Sequence, residues 1–135
     1  MFIEIDPGLA QPIFEQVISQ IKFAIAAGTV RSEEMIPSVR DLSRQLAINP
    51  NTVARAYREL QDEGLLSLRR GMGLAVTEGA RENCRIQRKR FFQKRFDEFL
   101  EEAARSRLNR KELEEIIGSY HDNAHLMNRE DTKEY

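Results

Sequence analysis

PSVRDLSRQLAINPNTVARAYREL, residues 37–60, decides the fold. Pro37 ends a loop, and Ser38 after it is a good N-cap, since its hydroxyl can accept from a free amide of the first helical turn. Val39, Leu42, Ser43 and Leu46 then fall on one helical face. Ala47, Ile48 and Asn49 lead directly into Pro50. Asn49 can cap a second helix, and proline is tolerated at a first helical position, where its missing N–H costs nothing. Val53, Ala56, Tyr57 and Leu60 give that helix an inward face, and Gly64 stops it. The stretch therefore predicts two short helices joined by a tight turn.

Downstream, LLSLRRGMGLAVT (residues 65–77) alternates at Leu66 and Leu68, turns through Arg69-Arg70-Gly71-Met72-Gly73, and alternates again at Leu74 and Val76. This is the pattern of a β-hairpin with a basic, glycine-flexible tip. From about Glu78 the pattern is helical, with Phe92, Phe96, Phe99 and Ala103 on one seam and Leu100 beside them. Asn109 and Glu112 resemble a capping box, and Leu113, Ile116, Ile117 and Tyr120 follow at helical spacing. Upstream, Pro12 stands where a first helical residue tolerates it. Phe14, Val17, Ile18, Ile21 and Ile25 give an amphipathic helix, and Gly28 suits its end. The fold class is mainly α with one small hairpin.

The 135 residues carry 21 Lys and Arg against 22 Asp and Glu, so the total charge points to no polyanionic partner. Smaller windows differ. Residues 40–58 have net charge +3, residues 81–95 have +6, and residues 97–102 have −4. The total conceals this segregation. The start, MFIEID, lacks the basic residue and long apolar run of a signal peptide, and no apolar run is long enough to span a bilayer. A cytoplasmic protein is expected. A single cysteine, Cys84, excludes an intrachain disulfide framework and a cysteine-based zinc site. No nucleophile elbow, P-loop or dinucleotide fingerprint occurs, so neither catalysis nor a cofactor is expected.

Two short helices followed at once by a hairpin form the layout of a winged helix-turn-helix. In that fold the second helix enters the major groove with its N-terminal end against base edges. Here that end offers Asn49, Asn51 and Thr52, with Arg55 about one turn later; the first acid on this helix is Glu59. Asn pairs bidentately with adenine, Arg with guanine, and Thr meets a base, a thymine methyl or a phosphate. Amides at the helix start also favour phosphate. Ser38 opens the preceding helix, with Arg40 in its first turn, where the helix dipole would prefer an acid; a cation there points to an anionic partner. Arg69 and Arg70 beside Gly71 let backbone and guanidinium approach a phosphate or the minor groove.

Taken together, P-S-V-R-D-L-S-R-Q-L (Pro37–Leu46), N-P-N-T-V-A-R-A-Y-R-E-L (Asn49–Leu60), E-G-L (Glu63–Leu65) and R-R-G-x-G (Arg69–Gly73) resemble the GntR family of bacterial transcription regulators. P-I-F-E-Q-V (Pro12–Val17) fits that family's first helix, so the resemblance covers roughly residues 3–77. The short helical C-terminal part is similar to the YtrA-like subfamily. The resemblance implies a homodimeric repressor on an inverted-repeat operator, often controlling a transporter operon. It implies backbone or base contact for Arg40, a recognition-helix place for Asn49, Asn51, Thr52 and Arg55, and a wing place for Arg70 and Gly71. Three departures stand out. Arg31-Ser32-Glu33-Glu34 replaces a Pro-Gly-Asp-like turn. Ala47 replaces a turn glycine, which predicts slight strain or a helical turn. Met72 and Leu74-Ala75 replace commoner basic and Thr-Phe residues, which predicts fewer phosphate contacts from the wing.

The C-terminal helices carry one apolar seam each and are too short to bury Phe92, Phe96, Phe99, Leu100, Leu113, Ile116 and Ile117 within one chain. Packing against a second copy about a two-fold axis solves this. The expected organisation is a DNA-binding domain over residues 1–77, a helical dimerisation region over 78–125 and a flexible tail over 126–135. Some readings stay open. The basic run at 81–95 suits either a solvated face or auxiliary phosphate contact. Phe91, Phe92, Phe96 and Phe99 suit a dimer seam better than an effector pocket. His121 and His125, with Asp122, have metal-like spacing of a kind that is usually incidental, so no metal site is expected. Cys84 has only Arg85 beside it to mark it as a redox switch. Two other classes compete with the DNA-binding reading: an effector- or metal-responsive sensor built on the C-terminal helices, and a winged-helix protein-interaction module. Acids on the second helix would have favoured the latter.

Overall fold

The computed structural model describes residue 1 and residues 3–120. Its elements are α1 (Ile13–Ala27), α2 (Val39–Leu46), α3 (Pro50–Asp62), β1 (Leu66–Arg69), β2 (Gly73–Val76), α4 (Ala80–Arg105) and α5 (Arg110–Ser119). The chain divides into two compact units, Met1–Arg88 and Lys89–Tyr135. His121, Asp122, His125 and the tail at 126–135 lie outside the described residues.

In the first unit, local chemistry sets the helix ends. Pro12 takes the position just before α1 rather than its first turn, and Gly28 ends that helix at φ 78. Ser38 Oγ accepts from the Asp41 amide at 3.1 Å, and Asn49 Oδ1 from the Asn51 amide at 2.8 Å. Between them Ala47 adopts a left-handed conformation (φ 54, ψ 44), and the Ile48 amide donates back to the Ser43 carbonyl at 3.1 Å. The turn glycine's geometry is thus kept by an alanine, at the cost a Cβ brings in that region.

The hairpin pairs Leu66 with Val76, Leu68 with Leu74, and Arg69 with Gly73. The preceding segment, expected as plain loop, is drawn into this sheet. Met35 bridges Ala75, and the Ile36 amide donates to the Leu74 carbonyl at 2.9 Å. The wing therefore has a bonded edge on the β2 side.

The core joins Val17, Ile21 and Ile25 of α1, Leu42 of α2, Val53, Tyr57 and Leu60 of α3, and Leu65, Leu66 and Val76. Each fully buried Ile or Leu contributes roughly 1.5–3 kcal/mol as an upper estimate. The core also takes in Ala80 and Cys84, so the start of α4 packs with the winged unit. Lys22 on α1 reinforces this, reaching Glu63 Oε2 at 2.8 Å and Gln87 Oε1 at 2.7 Å. The N-terminal segment is tied down by Gln16, whose amide donates to the Asp6 and Gln11 carbonyls and accepts from the Asp6 amide.

The second unit is built differently. After α4 the chain turns at Arg107 (φ 62), and Asn109 caps α5 by accepting from the Glu112 amide at 2.8 Å. The Asn109 side-chain amide also donates to the Glu112 carboxylate, so the return bond of the expected capping box is made side chain to side chain. No residue of α5 is buried. Phe92, Phe96, Phe99, Ile116 and Ile117 are all exposed. Among the described residues, no helix is long and apolar enough to cross a membrane.

Candidate nucleic-acid interface

The candidate surface follows from the periodicity of α3. Val53, Ala56, Tyr57 and Leu60 are buried. Residues half a revolution away, Asn51, Arg55 and Arg58, therefore face outward, about one turn apart, and all three are exposed. Thr52 sits half-buried at the flank. No carboxylate lies on α3 before Glu59; Glu59 and Asp62, both exposed, follow at its C-terminal end. Arg58 was not among the expected contact residues; its spacing of three from Arg55 and seven from Asn51 is the signal that places it there.

What holds this helix in place is local and long-range at once. The buried Tyr57 hydroxyl donates to the Pro37 carbonyl at 2.7 Å, pinning α3 to the start of α2. Burial, with the nearby Asp41 carboxylate, raises the Tyr57 phenol well above its ordinary range, so it remains a neutral donor.

The amides at the start of α3 are largely used internally. Pro50 has none, the Asn51 amide is taken by Asn49 Oδ1, and the Thr52 amide donates to the Asn49 carbonyl at 3.0 Å. Side chains rather than free amides are what this end offers to an anion. Asn49 is first of all a cap. So is Ser38, whose hydroxyl proton remains for donation.

The cations fall into two groups. Arg40, Arg44, Arg58 and Arg70 are exposed and make no side-chain bond among the described residues. Arg55 and Arg69 are engaged. The Arg55 guanidinium lies over the Phe14 ring, 3.8 Å from its centroid, a contact between α3 and α1 that sequence spacing alone did not reveal. Arg69 pairs with Glu33. At the wing tip Gly71 has φ 71 and open space where a Cβ would stand, so backbone can approach a ligand closely. Leu68 and Met72 are exposed beside it.

Cys84 is fully buried, and burial pushes its thiol up to about 11. It packs as a neutral core residue. Among the described residues no cluster of three or more His, Cys, Asp or Glu is arranged to hold a metal ion.

The family model described as "Bacterial regulatory proteins, gntR family" matches residues 13–76. The HTH-type transcriptional repressor YtrA of Bacillus subtilis is 42% identical over 79 residues, which are 58% of this chain and 61% of that protein. The matched segment thus spans about three fifths of that curated relative. Among solved structures, YtrA from Sulfolobus acidocaldarius, described as a GntR-family transcription factor, is 32% identical with a TM-score of 0.55, covering 69% of this chain and 99% of that one. The DNA-binding domain of AraR, solved in complex with operator ORX1, is 25% identical with a TM-score of 0.50, covering 57% and 96%.

Proposed function

As the chain belongs to the GntR family of bacterial transcriptional regulators, we propose that it binds an inverted-repeat operator as a homodimer and represses transcription there. The observation that carries this reading is the outer face of α3. Asn51, Arg55 and Arg58 stand on its N-terminal part, ahead of its first acid at Glu59, beside exposed Arg40 and Arg70 that have no counter-ion among the described residues. Asn51, Thr52 and Arg55 read base edges, while Ser38, Arg40, Arg70 and the Gly71 backbone take phosphates. Asn49 holds the helix end in place. The AraR complex with its operator supports the same use of the winged unit.

Dimerisation rests on the second unit. Phe96, Phe99, Ile116 and Ile117 remain exposed within one chain, apolar surface that a monomer in water does not favour. A two-fold pair would place two α3 helices on half-sites about 34 Å apart, or a multiple of that. The residues 78–125 assigned to dimerisation overlap the winged unit at Ala80 and Cys84, so the boundary is shared rather than sharp. A transporter operon as the regulated unit follows from the family resemblance alone.

The test is binding to the inverted repeats upstream of its own gene, against a scrambled duplex, at about 50 and about 200 mM salt. Affinity for both should fall steeply with salt as phosphate contacts are screened. Arg55→Ala should cost about 1–3 kcal/mol on the operator and little on scrambled DNA. Equal losses would make Arg55 a phosphate contact. A protein that binds neither duplex is not an operator-binding regulator.

A further inference from the structure

The turn at Arg31-Ser32-Glu33-Glu34 is closed by the Glu34 amide donating to the Arg31 carbonyl at 3.1 Å, with Glu33 in its third position at φ 67. A positive φ at that position is glycine's place, because a Cβ is crowded there. A glutamate occupies it nonetheless. Its backbone is anchored to the wing: the Glu33 amide donates to the Val76 carbonyl at 2.7 Å, and the Val76 amide to the Glu34 carbonyl at 3.0 Å. From there its carboxylate meets the Arg69 guanidinium at the end of β1. Both side chains are partly open to solvent, 58% and 40% exposed, so an outside anion can reach the same guanidinium. Arg70, the next residue, has no partner among the described residues.

We propose that Glu33 is a built-in competitor of DNA phosphate for Arg69, holding this wing arginine neutralised in the free protein and lowering affinity for DNA of every sequence. The inference rests on the DNA-binding reading above. A carboxylate and a phosphate diester each offer oxygens and one negative charge to the same guanidinium. Because Glu33 is bonded into the sheet edge beside β2, it follows the wing wherever the wing goes. A phosphate at the wing therefore meets a guanidinium already paired, and wild type forgoes that contact. The effect is blind to base sequence, since phosphate contacts carry none. It leaves the α3 side chains with a larger share of the discrimination.

Glu33→Gln removes the charge and keeps the shape and the backbone demand. Binding of the full chain is measured on the inverted-repeat and scrambled duplexes across a salt series. The variant should bind both more tightly, by about threefold for each chain bound. Its log affinity should fall more steeply with log salt, by about 0.9 per chain, the mark of one added phosphate contact. On an Arg69→Gln background, Glu33→Gln should give no comparable gain, because the guanidinium it would release is gone. Unchanged or weaker binding by Glu33→Gln, with wild type binding normally, overturns the proposal alone. Wild type that shows no salt-dependent binding to either duplex overturns the DNA-binding reading, and the proposal with it.

Discussion

The helix seams of α1 and of α4 are written in the same periodicity and meet opposite fates. Val17, Ile21 and Ile25 of α1 have no exposed surface, while Phe96 and Phe99 of α4 remain 52% and 45% exposed. The difference does not lie in the helices. In the first unit α1 faces α3, and α2, the hairpin and the start of α4 close the remaining sides. Among the described residues beyond Arg88 there are the rest of α4 and the ten residues of α5, and α5 buries none of its own. A seam buries itself where its chain provides an opposing surface. Where it does not, the same pattern asks for a second molecule.

Phe96 tests this difference between the seams most directly. Phe96→Asp puts a charge into the proposed seam, so sedimentation should show monomers and operator affinity should fall by orders of magnitude as the two half-sites uncouple. A variant that sediments as a dimer and binds normally would remove α4 from the dimer interface. The matching change in the first unit is Leu60→Ala. It should cost about 2–5 kcal/mol in chemical denaturation, from lost transfer energy and a cavity, and leave the oligomeric state unchanged. A loss of dimers at concentrations where the chain is still folded would mean that the two units are not separable in this way.

The smallest effect concerns Cys84, near the start of α4 in the first unit. Its thiol ionises near 9 in an unfolded chain and only at about 11 in the folded one. The folded state therefore holds the proton more tightly. That contribution is fully present below about 9 and is lost as pH rises toward about 11. Denaturation curves across this range should show wild type losing more stability than Cys84→Ala, apart from the constant cost of the smaller side chain. Parallel losses would place the alkaline sensitivity elsewhere, with Tyr57 the next group to measure.

Much of the fold was legible because its signals are local. Ser38 and Asn49 act within three residues of themselves, the hairpin is bracketed by its own glycines, and the helical faces repeat every three or four positions. What stayed hidden is long-range. Met35 joins the sheet through one bridge to Ala75, too short to leave an alternating pattern. Cys84 enters the core from a helix whose surroundings are charged, so composition argued for solvent. At the site, residue types and their helix were readable, but what occupies them was not. Phe14 under Arg55 and Glu33 against Arg69 lie 41 and 36 positions from their partners in sequence, and nothing in the spacing announces either contact.

Among the described residues, three that are not glycine sit in glycine's conformation: Glu33, Ala47 and Arg107. Each forgoes about 1–2 kcal/mol that a glycine would recover. From many of their codons, glycine is one nucleotide away. The chain thus keeps a mutational margin within easy reach, able to absorb a destabilising change elsewhere while the fold survives. At Glu33 that recovery would release a wing arginine and alter DNA affinity. At Ala47 it would touch only the turn between α2 and α3.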